Sequence, residues 1–85
     1  MYFVYILENA SKKHYIGMSA DVEKRLVAHN AGRVRSTRAF KPWHIIHVEK
    51  YPTRIEARKR ERLLKTNYSQ RIAALSEKNY SGPVV

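Results

Sequence analysis

Apolar positions along the chain come in two rhythms, and the switch between them marks the elements. Phe3-Val4-Tyr5-Ile6-Leu7 and Tyr15-Ile16-Gly17-Met18 are short β-prone runs. The polar stretch Glu8 to His14 separates them, so the pair predicts a β-hairpin. Tyr5 and Tyr15 share a face if the turn leaves an odd number of unpaired residues, because strand side chains alternate with period two. Residues 19–31 change to helical spacing, with Val22, Leu26 and His29 at i, i+4 and i+7. Ser19 or Asp21 is suited to cap the start, and Gly32 to stop the helix.

Trp43 to Tyr51 reads as a third strand, bounded by Pro42 and Pro52. Thr53-Arg54-Ile55-Glu56 has capping-box spacing and opens a second helix reaching Thr66. Its inner stripe is Ala57, Glu61, Leu64 and Tyr68, and its outer face carries Arg54, Arg58, Lys59, Arg62 and Lys65. Ser69 caps a short third helix to Glu77, with Ile72 and Leu75 facing in. The order is β-β-α-β-α-α. It predicts an α+β fold: a small three-stranded antiparallel sheet flanked by helices. One domain over residues 1–78 and a loose tail over 79–85 follow.

Composition narrows the function. Seventeen Lys and Arg against seven Asp and Glu give a net charge of +10. That surplus points to a polyanion, nucleic acid before an anionic membrane surface, since the helices look committed to a core. No run approaches the ~20 apolar residues of a membrane span. The chain has no cysteine, which excludes a disulfide framework and thiolate metal sites and fits a reducing cytoplasm. A monomer is expected, with an unidentified protein partner for targeting.

Asn30 to Lys41 reads as a long loop, loosely ordered without ligand, in which Arg33, Arg35, Arg38 and Lys41 alternate with small or apolar residues. Guanidinium forks suit phosphate. Phe40 is either a stacking platform for a base or a core anchor, the core being the stronger reading. His44 and His47 differ in parity and so are expected on opposite faces, which argues against a shared metal.

Three sets of groups remain for chemistry. Tyr5 and Tyr15 lie on the hairpin. Arg25 and His29 are four apart and project from neighbouring turns of one helix. Glu61 stands where an apolar residue is expected, and a buried carboxylate needs a compensating cation. Arg58 or Lys65 on the same helix would serve, and so would a metal. A lone acid cannot build a two-metal centre, but it can hold one Mg²⁺ that keeps its waters and borrows phosphate oxygens.

Phe3-Val4-Tyr5 followed by Tyr15-Ile16-Gly17 resembles the paired signature of the GIY-YIG nuclease superfamily. The second half matches letter for letter. The first has Phe3 for glycine and Val4 for isoleucine. The likeness spans roughly residues 2–75, and the brevity is similar to the stand-alone bacterial UPF0213 group. It implies an essential arginine, a tyrosine or histidine one turn later, and a metal-binding glutamate on a later helix. Arg25, His29 and Glu61 stand at those positions. It further implies phosphodiester hydrolysis with one Mg²⁺ or Mn²⁺ at Glu61, on DNA ahead of RNA. Arg25 would hold the phosphate, and Arg33, Arg35, Arg38, Lys41, Arg58 and Arg62 the rest of the nucleic acid. Tyr5 would be the general base, its pKa lowered by Arg25 and the metal, or else His29. Met18 stands where many active relatives have lysine, and Asn67 is the nearest match to a further asparagine. These departures keep open a non-catalytic nucleic-acid-binding module. A membrane-surface or ribosome-associated basic protein would need the charge alone.

Overall fold

The computed structural model describes residues 1–76; Glu77, the expected end of the third helix, and the tail expected over 79–85 lie outside them. The hairpin pairs β1 (Tyr2–Glu8) with β2 (His14–Ser19), in the register Tyr5↔Gly17 and Leu7↔Tyr15. Glu8↔His14 is the last pair, so residues 9–13 form the turn, an odd number, and Tyr5 and Tyr15 share a face. Asn9 builds that turn by accepting from the backbone N–H groups of Ser11 and Lys13 at 3.1 and 2.9 Å.

The third strand, β3 (His44–Tyr51), pairs antiparallel with β1, so the sheet order is β2-β1-β3. A β-bulge shifts the register between Ile6 and Leu7. It overturns the parity expected for the two histidines. His44 faces Glu8 and His47 faces Ile6, so both lie on one side of the sheet. They still do not converge, because His47 Nε2 bonds Glu49 Oε2 at 2.7 Å while His44 Nε2 lies 3.7 Å from Glu8 Oε1.

Helix α1 (Val22–Asn30) starts at Asp21, whose carboxylate accepts from the Lys24 N–H at 3.0 Å. Ser19 instead bonds the Asp21 backbone and shapes the approach. Helix α2 (Arg54–Thr66) is capped by Thr53, which accepts from the Glu56 N–H. It ends at Asn67, whose extended backbone breaks the stripe before Tyr68. Tyr68 therefore opens α3 (Tyr68–Ser76), exposed rather than inward, and Asn67 rather than Ser69 caps it by accepting from the Gln70 N–H. Ala74 takes the buried position on α3; Ile72, expected to face in, is exposed.

Two apolar layers result. Val4, Ile6 and Ile16 pack on Ala57 and Leu64 of α2 and Ala74 of α3. On the other face Tyr5 and Leu7 pack on Val22 of α1 and on Trp43. The connection between α1 and β3 is structured where a loose loop was expected. Residues 34–37 close a turn, Arg38–Phe40 make one 3-10 turn, and Thr37 and Trp43 are buried. Asn30 clamps the Trp43 backbone through both its amide groups, and Asn9 donates to the Phe40 carbonyl. Phe40 itself is exposed, with the Lys13 ammonium 4.5 Å from its ring centre.

Behind α2 lies a polar network. Glu49 accepts from His47 and Tyr51 and takes a two-pronged bond from Arg60 at 2.7 and 3.0 Å. Burial pushes the Glu49 carboxyl up, but the bonds from His47, Arg60 and Tyr51 outweigh it and hold the group at about 2. Because the folded value lies below the unfolded one of ~4.5, its contribution to stability is complete above pH ~4.5 and is lost as pH falls towards 2. Glu49→Gln should flatten the acid limb of the stability curve, removing a change on the order of 2 to 3 kcal/mol between pH 5 and 2. Denaturant unfolding at stepped pH measures it, and an unchanged acid limb would assign that limb to other groups.

Candidate active site

Tyr5 is the pivot of the second apolar layer. Its ring lies against Gly17, directly across the ladder, where any side chain would collide. A Cβ built at Gly17 stands 2.6 Å from the Tyr5 hydroxyl oxygen. The glycine of the Tyr15-Ile16-Gly17 run thus makes room for the tyrosine of the neighbouring strand. The Tyr5 hydroxyl meets His29 Nε2 at 3.1 Å, and both residues are fully buried. His29 Nδ1 meets Thr37 Oγ1 at 2.8 Å. Tyr15 stacks edge-on to His29, ring centres 4.7 Å apart, and lies 6.3 Å from the Tyr5 ring.

A cleft of about 400 Å³ opens beside this cluster, lined by Tyr5, Tyr15, Arg25, Arg54, Arg58 and Glu61 with the ends of β1 and β2. It lies along β2, an edge strand, which explains how groups from both faces meet. Tyr5 and Tyr15 belong to the α1 side, whereas Tyr2 and Met18, which also line it, pack on the α2 side. Glu61 comes from α2 at the border of its apolar stripe, 7% exposed. Lys65 Nζ lies 3.1 Å from Glu61 Oε2 and Arg58 Nε 3.7 Å from Oε1, so both same-helix cations compensate it. Both are themselves exposed, so each pair is individually weak.

Burial sets the protonation of the two inner groups. It pushes the Tyr5 hydroxyl up to about 12, Tyr15 adds to the rise, and Arg25 opposes it by hydrogen bond and charge without reversing it. The expectation that Arg25 brings Tyr5 towards neutrality is therefore not met by the protein alone. Burial, aided by Arg25, lowers His29 to about 4, so its imidazole is neutral at pH 7.

The structure thus gathers Tyr5, Tyr15, Arg25, Glu61 and Arg58 in one cleft, with His29 directly behind Tyr5. Arg33 lines a second hollow with Lys24 and Arg25. Arg35, Arg38, Lys41 and Arg62 are exposed but line neither. Asn67 is a helix cap outside the cleft. Sequence reasoning missed Arg54 as a cleft residue, although 54, 58 and 61 follow helical i, i+4, i+7 spacing. It also missed Thr37, for which no local pattern speaks.

Among the described residues no three His, Asp or Glu side chains converge to hold a metal by themselves. The cleft offers one carboxylate, Glu61, beside open space. That donor set fits Mg²⁺ in its habit of using one or two carboxylates, several waters and substrate phosphate oxygens.

The GIY-YIG catalytic domain profile matches residues 1–74, and the chain belongs to that family, a superfamily of nucleases. Within it the chain is similar to small UPF0213 proteins. One from Listeria innocua is 40% identical over 65 residues, covering 75% of this chain and 72% of that protein. One from Haloquadratum walsbyi is 35% identical over 77 residues, covering 89% and 86%. The solution structure of a UPF0213 protein from Bacillus halodurans superposes with a TM-score of 0.53 at 27% identity, covering 94% of this chain and 90% of that one.

Gly17→Ala should force the Tyr5 ring off its site, costing on the order of 1–3 kcal/mol by overpacking. Denaturant unfolding reads the cost; wild-type stability would show that the ring yields without resistance.

Proposed function

We propose that this protein is a metal-dependent endonuclease that hydrolyses nucleic-acid phosphodiesters, with DNA as the favoured substrate. What carries the reading is the cleft lined by a guanidinium, a carboxylate and a tyrosine whose hydroxyl is backed by a buried histidine. Arg25 binds the scissile phosphate and offsets the charge that grows on it. Glu61 would hold a divalent cation, Mg²⁺ or Mn²⁺, which when bound supplies positive charge at the leaving oxygen.

The tyrosine–histidine pair removes the difficulty of a tyrosine at about 12. Tyr5 oxygen takes a proton from the attacking water while its own proton passes to His29 Nε2 across the 3.1 Å bond. The water oxygen bonds to phosphorus, the bond to the leaving oxygen breaks, and no free tyrosinate is formed. His29 is neutral above pH ~4 and so carries a lone pair for that proton; burial makes it a weak base, and the negative charge of the bound phosphate would strengthen it. Arg54 and Arg58 on one side, and Lys24 and Arg33 on the other, supply positive charge to the neighbouring phosphates.

A second reading, binding without cleavage, draws support from the Lys65–Glu61 pair at 3.1 Å, which a metal has to displace. Nicking of plasmid and branched DNA with Mg²⁺ or Mn²⁺ separates the two. Glu61→Ala and Arg25→Ala should each lower metal-dependent cleavage by ~10²-fold or more. Cleavage equal to wild type in both would remove the enzyme reading, and tight binding with no cleavage would establish the binding module. Replacing Arg33, Arg35 and Arg38 together by alanine should weaken DNA binding across sequences. It should also shallow the slope of log K against log salt by about 2 to 3. An unchanged slope would take this segment off the binding surface.

A further inference from the structure

We propose that Thr37 is a positioning residue that fixes the tautomer of His29, holding Nε2 unprotonated towards Tyr5. Its catalytic consequence rests on the nuclease reading above; the tautomer itself does not. Donors and acceptors packed among these residues determine the tautomer. Tyr5, His29 and Thr37 are 1%, 0% and 1% exposed, so the polar atoms between them satisfy one another, and only the cleft side of the Tyr5 hydroxyl faces other groups. On its cleft side the Tyr5 hydroxyl has Arg25, and an arginine has donors only, so Arg25 cannot take the phenol proton. The phenol proton then goes to His29 Nε2, 3.1 Å away, and that nitrogen must carry a lone pair. A neutral imidazole has one N–H, which therefore sits on Nδ1 and donates to Thr37 Oγ1 at 2.8 Å. The Thr37 hydroxyl in turn donates to the Val34 carbonyl at 3.3 Å. Every member of the chain is satisfied in this one sense, assigned from the network. Reversing the sense would leave the Tyr5 hydroxyl proton with no acceptor inside the cluster.

Thr37 is placed by structure outside the helix that carries His29. The Trp43 indole donates to its backbone carbonyl at 3.0 Å, and Asn30 holds the Trp43 backbone from the end of α1. The turn at residues 34–37 presents the hydroxyl inward, although the rest of the segment is basic and exposed. Thr37 is buried and lines neither cleft, and its hydroxyl is turned to His29. Its part is to let Tyr5 hand over a proton.

The test is ¹⁵N–¹H correlation of the His29 ring at neutral pH, in the whole protein and without substrate. Wild type and Thr37→Ser should both show the Nδ1–H form. Thr37→Val, similar in shape but without an acceptor, should shift His29 wholly or partly to Nε2–H. In the cleavage assay Thr37→Val should lower kcat by ~10-fold or more and leave KM for DNA unchanged, with Thr37→Ser close to wild type. An Nε2–H ring in the wild type, or an unchanged Nδ1–H ring in Thr37→Val, overturns the proposal. Should Thr37→Val not fold, the wild-type and Thr37→Ser spectra decide alone. Since the spectra need no turnover, a protein that never cleaves DNA refutes the nuclease reading and leaves the tautomer assignment standing or falling separately.

Discussion

The contact on which the site depends is the Tyr5 ring laid over Gly17. It is first of all a packing contact. The ring fills space that a side chain on β2 would otherwise take, and the 2.6 Å approach at the missing Cβ leaves no alternative residue there. Once the ring is seated, its hydroxyl meets His29 on α1, and Tyr15 closes over His29 from the adjoining strand. Hairpin register, helix position and side-chain protonation are therefore coupled through a single aromatic group. A shift of one residue in the hairpin would undo all three, because every side chain of β2 would change faces.

The edge strand gives the arrangement its second property. Groups from opposite faces of a sheet normally cannot meet, yet Tyr5 and Glu61 line one cleft because, among the described residues, β2 has no neighbour beyond it. Position on α2 makes Glu61 both buried and reachable. Ala57 and Leu64 carry the apolar face of that helix into the core, while Arg54 and Arg58 stand on the cleft side. Glu61 falls between, with Lys65 and Arg58 keeping its charge compensated. A carboxylate so placed is kept charged by two exposed cations while it lines open space.

Much of this was legible in the chain. The two strand runs, the helix spacing of Val22, Leu26 and His29, and the misplaced acid at Glu61 each report a period or a break in one, and periods survive folding. The failures occur where a single residue changes the count. The bulge in β3 adds one residue and reverses the parity of His44 relative to His47. The extended backbone at Asn67 ends α2 one residue before Tyr68 and turns that ring outward. The segment between α1 and β3 was hidden for another reason. Its order comes from Asn9, Asn30, Thr37 and Trp43, contacts between distant parts of the chain that no local pattern announces. Protonation was misjudged because the depth at which Tyr5 and His29 lie decides it, and depth is a property of the assembled layers.

An unpaired rim also invites trouble, since exposed backbone N–H and C=O groups are a template on which a second copy can add its own strand. Here the rim along β2 is flanked by Arg25, Arg54 and Arg58, on a chain of net charge +10. Two such rims repel each other at close range, whereas a polyanion is drawn to either. The surplus of positive charge thus disfavours strand addition by a second copy while it leaves the cleft uncovered.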